Sequence, residues 1–186
     1  MGQIRIIGGK WRGRQIMVGN HPGLRPTPDR VRETLFNWLQ QDVVQSSCLD
    51  LFAGTGILGF EALSRGASHV TFIDNNTAAI QAITKVAHTL DAQNCTVIKG
   101  DALAWLRQNN KTSPFDIIFL DPPFSSNLLA ECLKELAQST LVGPSTLLYI
   151  EASQVLTPEQ LPHQWHCLKQ KSAGEVAYHL IQGAPR

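Results

Sequence analysis

Between residues 47 and 150, five short apolar runs alternate with four stretches of helical periodicity. The apolar runs cover 48–52, 70–74, 95–99, 115–120 and 146–150, and the helical stretches 57–65, 77–90, 102–108 and 128–138. Such alternation predicts right-handed βαβ units and a mostly parallel sheet with helices on both faces, a doubly wound α/β fold. The ending breaks the pattern. Two alternating runs, 165–171 and 176–182, flank Ser172-Ala173-Gly174-Glu175 and predict an antiparallel hairpin added to the sheet edge. The beginning differs too. Runs 4–7 and 15–18 surround a Gly-rich, basic turn and predict a second, small hairpin. A Pro/Gly-rich connector at 21–28 follows, with Thr27 placed to cap a helix whose first position is Pro28. Val31, Leu35, Trp38 and Leu39 give that helix one apolar face. The chain therefore divides into an extension, 1–42, and a main α/β domain, 43–186.

In open α/β sheets, ligands bind beyond the carboxyl ends of the strands, so the residues that end each run carry the information. The first run leads into Leu49-Asp50-Leu51-Phe52-Ala53-Gly54-Thr55-Gly56-Ile57-Leu58-Gly59. Gly54, Gly56 and Gly59 have the G-x-G-x-x-G spacing of a dinucleotide loop, which suits either a nicotinamide dinucleotide or S-adenosylmethionine (SAM). Asp74 ends the second run, where a carboxylate can accept from a ribose diol or cap a helix. Asp101 ends the third and either borders an adenine ring or caps the next helix. Asp121-Pro122-Pro123-Phe124 ends the fourth.

Two of these features favour SAM. Asp50 lies just before the glycine turn, where a buried carboxylate repels a pyrophosphate but suits the amino group and sulfonium of SAM. Asp121-Pro122-Pro123-Phe124 has no part in hydride transfer, yet it fits methyl transfer to a planar exocyclic amine. Asp121 and the Pro122 carbonyl can accept the two N–H groups, the prolines stiffen the turn, and Phe124 offers a stacking face.

The set Asp50…Gly54-x-Gly56, Asp74, Asp101 and Asp121-Pro122-Pro123-Phe124 resembles the class I SAM-dependent methyltransferases that modify exocyclic amines. Arg5-Ile6-Ile7-Gly8-Gly9-Lys10-Trp11-Arg12-Gly13-Arg14 and Arg25-Pro26-Thr27-Pro28-Asp29-Arg30-Val31-Arg32-Glu33-Thr34-Leu35-Phe36-Asn37 are similar to the bacterial RsmD family. The resemblance runs over nearly the whole chain. It implies the class I methyltransferase fold and methylation of a guanine N2 in 16S ribosomal RNA of an assembling small subunit. It also implies SAM binding by Asp50, Phe52, Gly54, Gly56, Asp74 and Asp101, and catalysis by Asp121, Pro122, Pro123 and Phe124. Pro28 stands where a small polar residue is expected, and Asp74 where the family often has Glu.

Charge distribution points to the RNA-facing part. Residues 1–40 hold seven basic and two acidic side chains, a net of +5, and the rest nine and thirteen, a net of −4. Lys10, Trp11, Arg12 and Arg14 are read as RNA contacts, three for phosphates and one for stacking. Arg30 and Arg32 are read as surface partners of Asp29 and Glu33. Cys48, Cys95, Cys132 and Cys167 are widely spaced, and His163 and His166 have no companion ligands, so no metal site is expected. No apolar run approaches the ~20 residues that span a bilayer, and no signal peptide is read at the start. A cytoplasmic monomer without membrane contact is expected. Adenine-N6 methylation, a NAD-dependent oxidoreductase and a non-catalytic RNA-binding protein are the rival readings.

Overall fold

The computed structural model describes residues 2–18, 27–124 and 127–184; the expected connector lies outside them as far as residue 26. Strands β1 (Gly2–Arg5) and β2 (Gln15–Val18) form the small hairpin, and helix α1 (Asp29–Trp38) follows. The main body runs β3 (Ser47–Asp50), α2 (Ile57–Ser64), β4 (His69–Asp74), α3 (Thr77–Thr89), β5 (Cys95–Lys99), α4 (Ala102–Gln108), β6 (Phe115–Leu120), α5 (Leu128–Ala137) and β7 (Val142–Ala152). Strands β8 (His166–Ala173) and β9 (Val176–Gln182) close it as an antiparallel hairpin.

The seven strands lie in the order β5-β4-β3-β6-β7-β9-β8. The chain winds outward from β3 to β5, then returns to lay β6 on the other side of β3. The order therefore reverses between β3 and β6, where a doubly wound sheet opens a ligand crevice at its carboxyl edge. Side chains alternate between two faces, and each face has its own core. Ile117, Phe119 and Tyr149 pack with α1, α2 and α3; Ile118, Leu120, Leu148 and Ile150 pack with α4 and α5.

Three boundaries differ from the sequence pattern for physical reasons. Strand β7 starts at Val142, before the apolar run, because the β6–β7 register shifts there and absorbs Gly143-Pro144-Ser145. A proline is tolerated in a strand at such an irregularity. Strand β1 begins at Gly2, although pairing continues past it through the Ile6 N–H to the Arg14 carbonyl at 2.9 Å. Helix α1 has Pro28 as its N-cap and no side-chain cap. Thr27 does not cap it. Its hydroxyl donates instead to Oε1 of Glu151 at 2.8 Å, because a buried carboxylate must find donors.

The extension shares the core of the main body. Ile4, Ile6, Trp11, Ile16, Val31, Leu35 and Phe36 join Phe60, Ile117 and Phe119 in one cluster. Arg32, read as a surface residue, is fully buried at this junction. It donates to Glu61 at 2.6 Å, Asp29 at 2.5 Å, the Arg5 carbonyl at 3.1 Å and the Thr27 carbonyl at 3.2 Å. Glu61, also buried, accepts further from the Ile7 N–H at 2.6 Å and from Arg65 at 3.3 Å. Helical spacing alone places Arg32 beside Asp29, but Glu61 lies 29 residues away on α2.

Candidate active site

The glycine turn is built for close packing and for one carboxylate. Gly54 and Gly56 have φ of 51° and 74°, which favour glycine. A Cβ at Gly59 would overlap the Phe72 ring, so the third glycine serves helix–sheet contact. Asp50 is buried at the end of β3, and its Oδ2 accepts from the Gly59 N–H at 3.2 Å. The Thr55 hydroxyl takes the Ile57 N–H at 3.3 Å. Two of the first amides of α2, where a pyrophosphate would bind, are thus already satisfied within the protein. The turn does not fit a dinucleotide. Burial pushes the Asp50 carboxyl up to about 7, helped by Asp74 and opposed by the Gly59 N–H. A bound ammonium or sulfonium would favour its charged form.

Asp74 ties this turn to β4. Its Oδ2 accepts from the Gly54 N–H and its Oδ1 from the Asn76 N–H, both at 2.7 Å. Asn76, not Asp74, caps α3, through Oδ1 to the Ala78 and Ala79 N–H groups. Each carboxylate oxygen retains a second lone pair for a ribose hydroxyl. Asp101 is exposed and caps α4, its Oδ1 accepting from the Ala104 N–H at 2.9 Å, which leaves Oδ2 for a ligand. Phe52 is half-buried against the α4–α5 core.

Asp121 follows β6 directly and is half-buried, Pro122 is buried, and Phe124 is 46% exposed. Its carboxyl is raised well above the usual range, first by burial, then by the charges of Glu151 and Asp50. Glu151, the next-to-last residue of β7, is buried and also raised by burial. Its Oε1 accepts from the hydroxyls of Thr27 at 2.8 Å and Tyr149 at 2.9 Å. Asp50, Asp121 and Glu151 thus converge on the crevice between β3, β6 and β7. The sequence reading missed Glu151, although it directly follows an apolar run just as Asp121 does.

The comparisons with known proteins agree with this geometry. A family model, conserved hypothetical protein 95, matches residues 4–182. Ribosomal RNA small subunit methyltransferase D of Escherichia coli strain K12 is 46% identical over 181 residues, covering 97% of this chain and 90% of its own. The chain belongs to the RsmD family. The Haemophilus influenzae protein of the same name is 44% identical over 186 residues, covering 97% of this chain and 94% of its own. Among solved structures, yhhF of Escherichia coli superposes with a TM-score of 0.90 at 45% identity, with 100% of both chains covered.

In this RsmD-family chain the basic hairpin is docked, not free-standing. Its tip, a 3-10 turn at Gly9–Trp11, lies on the end of α2. The Trp11 N–H donates to Ser64 Oγ at 2.9 Å, and that hydroxyl donates to the Gly8 carbonyl at 2.6 Å. A Cβ at Gly9 would overlap the Ser64 carbonyl. Trp11 is only 8% exposed and belongs to the core, with Lys10 Nζ 4.3 Å above its ring. Its buried ring is not available to stack on a base, which corrects the reading from sequence. Lys10, Arg12 and Arg14 are exposed, and no ion pair among the described residues engages them. The described residues contain no His/Cys/Asp/Glu group able to hold a metal ion and no helix long and apolar enough to cross a membrane.

Proposed function

We propose that this protein transfers a methyl group from SAM to the exocyclic N2 amine of a guanine in 16S ribosomal RNA, within an assembling small subunit. The observation that carries the reading is the convergence of Asp50 and Asp121 at the switch point of the sheet, with α2 already closed to a pyrophosphate by the Asp50–Gly59 bond. SAM supplies a methyl group on a positively charged sulfur. Asp50 and the turn at Gly54 and Gly56 hold its amino-acid end, Asp74 its ribose, and Asp101 and Phe52 border its adenine.

The guanine amine is a poor nucleophile because its lone pair is delocalised into the ring. Asp121 and the Pro122 carbonyl each accept one N–H and turn that lone pair toward the methyl group. Pro123 stiffens the turn, and the exposed ring of Phe124 stacks on the base. As positive charge grows on nitrogen, the Asp121 carboxylate stabilises it and takes up the proton that the amine loses, while the sulfur departs as a neutral thioether. The target base must leave its stack to enter the crevice. Lys10, Arg12 and Arg14 hold the phosphate backbone, which makes residues 1–42 the RNA-contacting part of a cytoplasmic monomer.

Radiolabelled methyl transfer to small subunits from cells lacking this activity, followed by nucleoside analysis, tests the reading. The expected product is N2-methylguanosine in 16S RNA. Label in N6-methyladenosine instead would establish the adenine rival, and no transfer to either would end both readings.

A further inference from the structure

Glu151 is a second carboxylate beside Asp121, and the chemistry proposed above gives it no part. Leu120 and Ile150 are register partners on the parallel strands β6 and β7, so Asp121 and Glu151 follow them at matching positions. Matching positions on adjacent parallel strands face the same way, with the strands about 4.8 Å apart. Asp50 joins the row, because its partner Phe119 lies two residues before Asp121. The Thr27 and Tyr149 hydroxyls both meet Oε1 of Glu151. Among the described residues no buried side-chain nitrogen or oxygen lacks a partner, so Oε2, which neither hydroxyl touches, keeps an open side.

Among the described residues, none brings a positive charge to this row. Asp74 lies beyond Asp50 on β4, Tyr178 on β9 flanks Tyr149, and Asp29 and Arg32 stand behind Thr27 on α1. Arg32 is committed to Asp29 and Glu61, and no ion pair among the described residues includes Asp50, Asp121 or Glu151. Burial favours the protonated carboxyls, but the sulfonium of SAM beside them favours the charged form, and the wall then offers acceptors. A base that fits must present donors side by side. Guanine does so, with N1–H next to its N2 amine, whereas adenine and cytosine carry a lone pair next to theirs.

We propose that Oε2 of Glu151 accepts the N1–H of the target guanine and thereby selects guanine over other amino-bearing bases. This inference rests on the placement of the target amine at Asp121. Thr27 and Tyr149 are positioning residues that fix Oε1 and aim Oε2.

The test uses 2-aminopurine, which keeps the 2-amino group but has a lone pair at N1. Small subunits are reconstituted with 16S RNA carrying guanine or 2-aminopurine at the modified position, and single-turnover methyl transfer is measured. The unmodified protein should prefer guanine by roughly ten- to hundredfold, the scale of one mismatched recognition contact. In Glu151→Gln the amide can donate to the purine N1, so the preference should shrink by at least about tenfold, with 2-aminopurine gaining relative to guanine. Equal use of both bases by the unmodified protein would overturn the proposal even if the variant fails to fold. So would a folded Glu151→Gln that loses the same factor on both bases. Asp121→Ala separates the two readings. Near-normal transfer by that variant undoes the placement at Asp121, whereas an inactive variant beside an unchanged Glu151→Gln preference undoes only the role of Glu151.

Discussion

Two buried clusters of charge meet at Thr27 in this fold, and they are balanced in opposite ways. At the junction with the extension, fully buried Arg32 and Glu61 meet, with Asp29, Arg65, the Ile7 N–H and two carbonyls closing the set. Each buried charge there has an opposite charge and further hydrogen bonds. At the crevice, Asp50, Asp121 and Glu151 share a row with hydroxyl and amide donors but, among the described residues, no cation. Burial is costly for any charge that lacks compensation. The first cluster is complete without a ligand and joins two parts of the chain. The second is left short of positive charge and of donors, which a sulfonium cofactor and an amine-bearing base both bring.

The largest expected effect breaks the balanced cluster. Glu61→Ala strands the buried Arg32 guanidinium and should cost about 3–5 kcal/mol of unfolding free energy. Urea denaturation followed by circular dichroism measures it, and a loss below 1 kcal/mol would show that water or Asp29 replaces Glu61.

Asp121→Ala, in the unbalanced cluster, should leave the fold and SAM affinity intact while slowing single-turnover methyl transfer at least about a hundredfold. A rate within a few-fold of the parent contradicts a role at the reacting amine.

Asp74→Ala is expected to weaken SAM binding by about 1–3 kcal/mol, because it removes acceptors for the ribose and releases the Gly54 and Asn76 amides. Unchanged affinity by calorimetry takes Asp74 out of the site.

A smaller effect is a pH dependence set by Asp50. With its carboxyl at about 7, the empty protein holds a proton that must leave before an ammonium can bind. SAM affinity should rise about tenfold from pH 6 to pH 8, roughly 1.4 kcal/mol, and Asp50→Asn should flatten the profile. The same raised value lowers the stability of the empty fold as pH climbs from the ordinary aspartate range through about 7. Over that window folded Asp50 retains a proton that the unfolded chain has released. A rising affinity that persists unchanged in Asp50→Asn assigns the titration to another group.

The smallest effect per residue concerns the exposed charges of the hairpin. Replacing Lys10, Arg12 and Arg14 together with Ala should reduce the slope of log K against log salt for subunit binding by roughly 0.7–0.9 per lost phosphate contact. SAM affinity should not change. Trp11→Ala, by contrast, should destabilise the docked tip, since the ring lies in the core. An unaltered salt slope in the triple variant moves the RNA contact elsewhere.

By itself the sequence determined the βαβ alternation, the left-handed glycine turn at Gly54 and Gly56, and the acids at the strand ends. These depend on residues close in the chain, through side-chain periodicity and local backbone sterics. Tertiary structure alone decided which side chains with ambiguous local meaning went inside. Trp11 among basic residues reads as a stacking platform until α2 covers it. Arg32 reads as a surface ion pair until Glu61 arrives from 29 residues away. Thr27 reads as a helix cap until β7 brings Glu151 across 124 residues. The cost of burying a charge or a hydroxyl without a partner settles each case, and that partner is supplied by a strand or helix whose position no local pattern specifies.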